Sequence, residues 1–229
     1  MLKCKYNYEI RWDSRRFRQE SSLERQFIFP RGIFMDSELD VVRQINKLAG
    51  QARPVDLMMD LITRYGHWAF LIYGILLWFA PGKNQKHRRE SCVAAFLAVC
   101  LCSVISLAVG KLWHRRRPFT RDRQIWNFTG HKANASFPSN HAMNGAAVAF
   151  QLLRDRMPGC RWMACLAGLL AFSRLFAGMH YPSDILGGGA IAAAVHGVLN
   201  KPFAAAFIKK LTGALSLLSD SILYIGKSR

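Results

Sequence analysis

The chain has 229 residues and is 51% hydrophobic, yet its formal net charge at pH 7 is +18. Its length suits a single domain. The charge alone would suit a soluble nucleic-acid binder, but the apolar residues are gathered in long runs between basic loops. This segregation excludes that class and predicts an integral membrane protein whose environment is the lipid bilayer, with no nucleic-acid partner.

The N-terminal segment, residues 1–34, differs from everything after it. It mixes basic, acidic and aromatic residues without a helical or strand period. We predict a basic tail that is either disordered or lies upstream of the true start of translation at Met35. The first thirty residues contain no apolar core, so no secretory signal is expected. Residues 35–229 are predicted to form one membrane domain.

Apolar segments and breaking residues predict the helices in chain order. Residues 36–50 predict an interfacial or short core helix, because Leu39, Val42, Ile45 and Leu48 recur at helical spacing before Gly50. Six further apolar segments lie at about 55–80, 91–110, 139–153, 162–177, 185–199 and 202–225. Together they predict an all-α, polytopic membrane bundle of about six helices.

The cysteines do not indicate a metal site. The six residues Cys4, Cys92, Cys100, Cys102, Cys160 and Cys165 form no CxxC or other zinc spacing. Four of them lie inside or at the edge of apolar stretches, as small buried residues do. We therefore expect no disulfide framework, no metal and no cofactor.

Three polar clusters stand at the mouths of apolar stretches. They are Lys111–Pro118 (KLWHRRRP), Pro138–His141 (PSNH), and Ser173-Arg174 followed by His180 and Asp184. In a helical membrane bundle they bring two histidines, a carboxylate and several cations to one side of the membrane. This set predicts phosphoryl transfer through a histidine nucleophile without a metal.

His180 and Asp184 are four residues apart, so their side chains can face each other across one helical turn. A carboxylate on one ring nitrogen fixes the histidine tautomer and leaves the other nitrogen free to attack. The alternative is a structural histidine followed by an aspartate that caps a helix after Pro182.

His141 falls in the first turn of a predicted helix that Ser139 would cap. The free N–H groups of such a turn attract an anion, and His141 is suitably placed to give a proton to a leaving oxygen. The alternative is a plain capped helix with an incidental histidine.

Lys111, Arg117 and Arg174 lie at the ends of apolar spans, where a charge is costly unless it pairs or reaches water. The fork of arginine matches phosphate oxygens, so the three predict a phosphate clamp. The alternative is anchoring by cytoplasmic positive charge, and that interpretation suits the neighbouring Arg115 and Arg116.

In order, these clusters resemble the signature of the type 2 phosphatidic acid phosphatase superfamily. The second and third motifs match in full. The first departs, because the superfamily pattern has six residues between lysine and Arg-Pro, whereas five separate Lys111 from Arg117 and Gly110 holds the expected lysine position. Residues 36–200, including Arg117-Pro118-Phe119 and Ser136–Ser139, are similar to undecaprenyl-diphosphatases of the bacitracin-resistance type.

The resemblance implies an active site at the membrane surface. It implies His180 as the nucleophile that forms a phosphohistidine, Asp184 as the residue that orients it, and His141 as the general acid. Lys111, Arg117, Ser139 and Arg174 would bind the phosphoryl oxygens. The substrate would be a prenyl diphosphate lipid, undecaprenyl diphosphate, and the product the lipid monophosphate. Phosphatidate or phosphatidylglycerol phosphate, and a non-catalytic protein of the same fold, stay open as alternatives.

The basic segments 83–89 and 154–161 lie on one side of the membrane by span counting. The positive-inside rule puts them in the cytoplasm. The active site of this plasma-membrane protein would then face outward.

Overall fold

The structure, a computed structural model, describes residues 33–130 and 132–227. Within these residues, the apolar runs form helices that end at Pro, Gly and basic segments, and there are no strands. The eight helices of this part are α1 Ile33–Asn46, α2 Arg53–Phe79, α3 Gln85–Leu112, α4 Pro118–Arg121, α5 Asn140–Arg154, α6 Cys160–Phe176, α7 Pro182–Leu199 and α8 Pro202–Lys227. The predicted tail, residues 1–34, lies outside the described residues except where α1 begins.

The all-α prediction is confirmed, with shifted helix ends. α1 ends at Asn46, earlier than expected, and a turn with a left-handed Gly50 (φ 86°) leads to α2. α3 begins at Gln85 and takes in most of the basic segment predicted as a loop, because the break lies at Pro81 and Gly82. The polar segment between α3 and α5 contains the short helix α4.

One helix of the described part, α3, is long and apolar enough to cross a membrane by itself, with a mean hydropathy of 2.7. α7 and α8 meet the same criterion as a pair that is bent by 79°. α2, which carries Asp56, Asp60 and Arg64 in its first half, does not meet this criterion. The 15 residues of α5 and the 17 of α6 fall short of the roughly 20 that a span needs.

α5 is the central helix of the bundle. Its buried Met143 and Ala147 share one apolar cluster with Ala98 and Cys102 of α3 and with Ala192 of α7. Small residues let these helices approach closely. A Cβ added to Gly145 would lie 3.4 Å from Cβ of Ala167, so α5 and α6 are also in tight contact.

α1 packs against the end of the bundle that carries the polar clusters. Its Leu39 and Val42 are buried with Ile125 and Tyr181. Asn46, also buried, donates to the carbonyls of Trp126 at 3.0 Å and Phe176 at 2.7 Å, and accepts from the Trp126 N–H at 2.7 Å. α1 therefore holds the α4–α5 loop against the end of α6.

Candidate active site

The three polar clusters meet at one end of the bundle. α3 and α6 end there, and α5 and α7 begin there, because successive long helices run in opposite directions. The Ser139 N–H donates to the Asp184 carbonyl at 3.1 Å, which ties the start of α5 to the start of α7. Arg117 lies 3.0 Å from the His180 ring, which ties the loop after α3 to the segment before α7.

His180 is 2% exposed and precedes α7 rather than lying on it. Its Nδ1 is 2.8 Å from the backbone carbonyl of Ser136 and 3.5 Å from Oδ2 of Asp184. A carbonyl only accepts, so we assign the ring proton to Nδ1. Nε2 then keeps its lone pair and accepts from Nη1 of Arg117 at 3.0 Å.

Burial lowers the pKa of His180 to about 4, although the nearby Asp184 carboxylate opposes the shift. The positive charges of Arg117 and Arg174 lower it further. The imidazole is therefore neutral at physiological pH, which is the form that has a nucleophilic nitrogen.

Asp184 is fully buried and all its described partners are donors. Oδ2 accepts from the Ser136 hydroxyl at 2.5 Å and the Tyr181 N–H at 2.8 Å. Oδ1 accepts from Nη1 of Arg115 at 2.6 Å. The carboxylate thus caps α7 and lies close to Nδ1 of His180, whose nearest acceptor is the Ser136 carbonyl.

The alternative interpretation of Arg115, an anchor held by cytoplasmic positive charge, is wrong, because its side chain is 13% exposed and paired. Besides Asp184, its guanidinium binds Oε2 of Glu38 at 2.6 Å and the Ser183 hydroxyl at 2.7 Å. It also stacks 4.0 Å from the centre of the Tyr181 ring. Glu38 in turn accepts from the Ser183 N–H at 2.9 Å. Sequence reasoning missed Glu38 because 77 residues separate it from Arg115.

Arg117 is 4% exposed and is held by carbonyls. Its donors reach Met179 O at 3.0 Å, Asn134 Oδ1 at 2.9 Å and Ala135 O at 3.2 Å. Burial lowers the pKa of Arg117 to about 10, and the nearby Asp184 charge opposes the shift. The side chain remains a fixed cation at neutral pH.

Arg174 and Ser139 each have a buried polar atom without a partner in the described part of the chain, Nε and Oγ respectively. Nη1 of Arg174 donates to Oγ1 of Thr63 at 3.0 Å. Ser139 occupies the predicted N-cap position, but its hydroxyl makes no cap hydrogen bond. Buried polar groups are almost always paired, so these two are suited to receive an anion's oxygen atoms.

Lys111 lies exposed in the last turn of α3. A Cβ added to the preceding Gly110 would lie 3.5 Å from Cβ of Ala135 and 4.0 Å from the Phe137 carbonyl. Position 110, where the superfamily pattern has its lysine, therefore faces the loop of the site. The structure brings Arg117, Ser139, Arg174, His180 and Asp184 together and leaves Lys111 at the surface.

His141 lines a cavity of about 200 Å³ together with Thr63, Arg64, Thr129, Arg174 and Met179. Its ring also meets His67 of α2 edge-on, with ring centroids 5.6 Å apart. Sequence reasoning missed Arg64 and His67. Their positions near the middle of α2 gave no motif, although charged residues beside an apolar span were a usable signal.

The chain is similar to a known family and to several known proteins. The model of the PAP2 superfamily matches residues 90–206. The chain is 29% identical to undecaprenyl-diphosphatase BcrC of Bacillus subtilis over 67% of this chain and 77% of that protein. It is 30% identical to a lipid A 1-phosphatase of Rhizobium johnstonii over 61% of this chain and 64% of that protein.

Two crystal structures have a similar fold. Aquifex aeolicus LpxE has a TM-score of 0.58 and 20% sequence identity, covering 70% of this chain and 92% of that one. The PAP2 type phosphatidylglycerolphosphate phosphatase from Bacillus subtilis has a TM-score of 0.54 and 18% identity, covering 74% and 86%. At these identities the likeness shows the fold alone.

Proposed function

This chain belongs to the PAP2 superfamily of membrane phosphatases, and we propose that within it the chain hydrolyses undecaprenyl diphosphate to undecaprenyl phosphate and inorganic phosphate. The reaction would recycle the lipid carrier of cell-wall synthesis. The single observation that carries the chemistry is the His180 ring, whose Nδ1 is 2.8 Å from a carbonyl while Nε2 is 3.0 Å from a fixed guanidinium. The substrate assignment is supported by the relative named undecaprenyl-diphosphatase BcrC.

In the first step, the phosphoryl oxygens take over the Nη1 donor of Arg117, and the lone pair released on Nε2 of His180 attacks the terminal phosphorus. The bond from that phosphorus to the bridging oxygen breaks, and its electron pair stays on the oxygen, which takes a proton from His141. Undecaprenyl phosphate leaves. The phosphohistidine ring is cationic, and the Ser136 carbonyl and Asp184 stabilise its Nδ1–H.

In the second step, water attacks the phosphohistidine and His141 accepts its proton. The P–N bond breaks, the electron pair returns to Nε2, and inorganic phosphate leaves. Arg117, Arg174 and Ser139 bind the phosphoryl oxygens through both steps, since phosphoryl transfer depends on charge stabilisation. Lys111 is the weakest member of the proposed clamp, because it is exposed.

We assign the basic segments 83–89 and 154–161 to the cytoplasm and the active site to the outer face of the plasma membrane. Cysteines introduced into residues 119–130 of an otherwise cysteine-free protein test this assignment. An impermeant maleimide should label them in intact cells. Labelling that requires cell lysis would reverse the orientation.

The activity is tested by phosphate release from undecaprenyl diphosphate by purified protein in EDTA, with wild type beside His180→Ala. We expect release that the substitution abolishes and that the chelator leaves intact. Full loss in EDTA would contradict the histidine mechanism. Folding of the variant is checked by its elution in size exclusion and its thermal midpoint.

A second candidate is the same chemistry on another lipid phosphate. The relative named lipid A 1-phosphatase supports it. A panel that adds phosphatidate, phosphatidylglycerol phosphate and lipid A separates the two. Phosphate release from one of these lipids, without release from undecaprenyl diphosphate, would change the assigned substrate and leave the mechanism unchanged. No release from any lipid by folded protein would favour a non-catalytic protein of the same fold.

A further inference from the structure

The cavity beside His141 contains two arginines that lie on different helices. Arg174, 2% exposed, comes from the end of α6. Arg64 comes from α2, and 42% of its side chain is exposed. Arg174 belongs to the phosphate clamp that the family motif predicts, whereas Arg64 belongs to none of the three polar clusters. The position of Arg64 in the structure is therefore the guide to its role.

Thr63 fixes that position. Its carbonyl and hydroxyl oxygens accept from Nη1 of Arg174 at 3.2 and 3.0 Å, so α2 is joined to the clamp at this residue. Arg64 is the next residue along α2. Its Nε binds Oδ1 of Asp60 at 2.6 Å, and Nη2 reaches the Phe128 carbonyl at 3.5 Å, the outer limit of a hydrogen bond.

The cavity lies on the leaving-group side of the proposed reaction. It is lined by His141, which would protonate the leaving oxygen, and not by His180, which would attack from the other side. With a lipid monophosphate, the group that leaves is an alcohol. With a lipid diphosphate, it is a phosphate monoester. The bridging oxygen gains charge as the bond breaks in both reactions, but only the diphosphate also brings the anionic oxygens of a second phosphate to this side. A cation in this cavity therefore favours the diphosphate.

We propose that Arg64 binds the lipid-attached phosphate of a diphosphate substrate and selects diphosphates over monophosphates. The ion pair between Arg64 and Asp60 is partly exposed and therefore weak. When the substrate binds, the guanidinium leaves Asp60 and binds the phosphate oxygens instead. This inference rests on the proposed function and names the substrate class of the same site: a phosphoric anhydride with a second phosphate two bonds from the attacked phosphorus.

The test compares kcat/KM for undecaprenyl diphosphate and for phosphatidate in one detergent. We expect Arg64→Gln to lower the diphosphate-to-monophosphate ratio by about 10- to 100-fold, the usual worth of a charge-assisted hydrogen bond. Arg64→Lys should lie between Gln and wild type. An unchanged ratio in Arg64→Gln, whether both activities fall together or neither falls, would overturn the proposal.

Two matched variants separate the lost cation from other effects. Asp60→Asn removes the ion pair and keeps the arginine, so the ratio should not fall. Arg161→Gln makes the same exchange at an exposed residue of the first turn of α6, at the opposite end of the bundle, and should also preserve it. A fall of the ratio in Asp60→Asn as large as in Arg64→Gln would assign the effect to helix structure instead.

A second measurement tests the role of Arg64 without depending on which lipid is the substrate. It compares inhibition by methylenediphosphonate with inhibition by inorganic phosphate. It is measured with whichever lipid phosphate the wild type hydrolyses. Wild type should bind methylenediphosphonate more tightly than phosphate, and Arg64→Gln should lose that preference. If undecaprenyl diphosphate is not hydrolysed, but wild type has the preference and Arg64→Gln loses it, the proposed substrate fails and the role of Arg64 stands. Wild type without the preference would overturn the role of Arg64.

Discussion

Arg115 donates through Nη1 to Oδ1 of Asp184 at 2.6 Å and through Nη2 to Oε2 of Glu38, also at 2.6 Å. One guanidinium thus joins a carboxylate of α1 to the carboxylate beside the candidate nucleophile. The side chains of Arg115 and Glu38 are only 13% and 10% exposed. Removing the cation would deprive two nearly buried carboxylates of the guanidinium that they share.

Arg115→Gln should lower kcat about 10- to 100-fold, because Asp184 and the segment before α7 lose their fixed position. It should also raise the pKa of His180, since a nearby positive charge is lost. The loss of kcat should be smaller in Glu38→Gln, which retains the cation, and the pKa of His180 should not rise there, because that substitution removes a negative charge. Steady-state kinetics measures the change in kcat, and an NMR titration of the labelled histidines measures the pKa of His180. A loss of kcat with an unchanged His180 titration would assign Arg115 a purely structural role.

His180 should stay neutral down to about pH 4, as burial dictates. In ¹⁵N-histidine-labelled protein in detergent, its signals are identified by their absence in His180→Gln. They should report the Nδ1–H tautomer at pH 7, because the Ser136 carbonyl can only accept. A midpoint near 6.5 or the opposite tautomer would contradict the assigned geometry.

The same shift predicts a pH-dependent stability. Between pH 6.5 and about 4, unfolded His180 binds a proton that the folded protein does not bind. The free energy of unfolding therefore falls as the pH falls through this window. Wild type should lose more stability across it than His180→Gln, measured as thermal midpoints in one detergent at a fixed scan rate. Parallel pH profiles would contradict the shift.

Substitutions of Arg117 and Lys111 should lower kcat/KM to very different extents. Arg117→Gln should lower kcat/KM by about 100-fold or more, as loss of a buried donor to the transition state does. Lys111→Gln should cost less than about 5-fold, because the residue is exposed and its charge is screened. Phosphate-release assays on the two variants compare them directly. Equal losses would show that Lys111 turns toward the substrate.

Substitutions of Ser139 and Ser136 should have different effects on kcat and on inhibition by vanadate. Ser139→Ala removes an unpartnered buried hydroxyl and should weaken inhibition by orthovanadate about 10-fold. Ser136→Ala removes the 2.5 Å hydrogen bond to Asp184 but keeps the carbonyl that binds His180. It should lower kcat with little change in vanadate inhibition. The reverse pattern would exchange the two roles.

Gly178 should be intolerant of a side chain. Its φ is +66°, and an added Cβ would lie 2.2 Å from Cγ2 of Ile125, next to the segment that carries His180. Gly178→Ala should cost about 2 kcal/mol or more. Gly189 has no atom within 4 Å of its added Cβ, so Gly189→Ala should be neutral or mildly stabilising. Thermal midpoints of the pair test this, and equal midpoints would contradict it.

The sequence by itself determined the helices and the chemistry that their ends carry. Helix formation depends on apolar periodicity and on breakers within a few residues, so α2, α3 and α5 to α8 could be predicted closely. The motif residues His141, His180 and Arg174 could be named because their spacing is local. Even the departure of the first motif was visible, since Gly110 stands where a lysine is expected.

Only the tertiary structure decided which groups meet. The nearest acceptor of His180 Nδ1 is the Ser136 carbonyl, 44 residues earlier, while Asp184 lies at 3.5 Å. Arg115 pairs with Glu38 across 77 residues, and Arg64 reaches the cavity from a helix without a motif. Such contacts depend on how helices pack and which face each one turns inward, and no local pattern encodes a neighbour that distant in the chain.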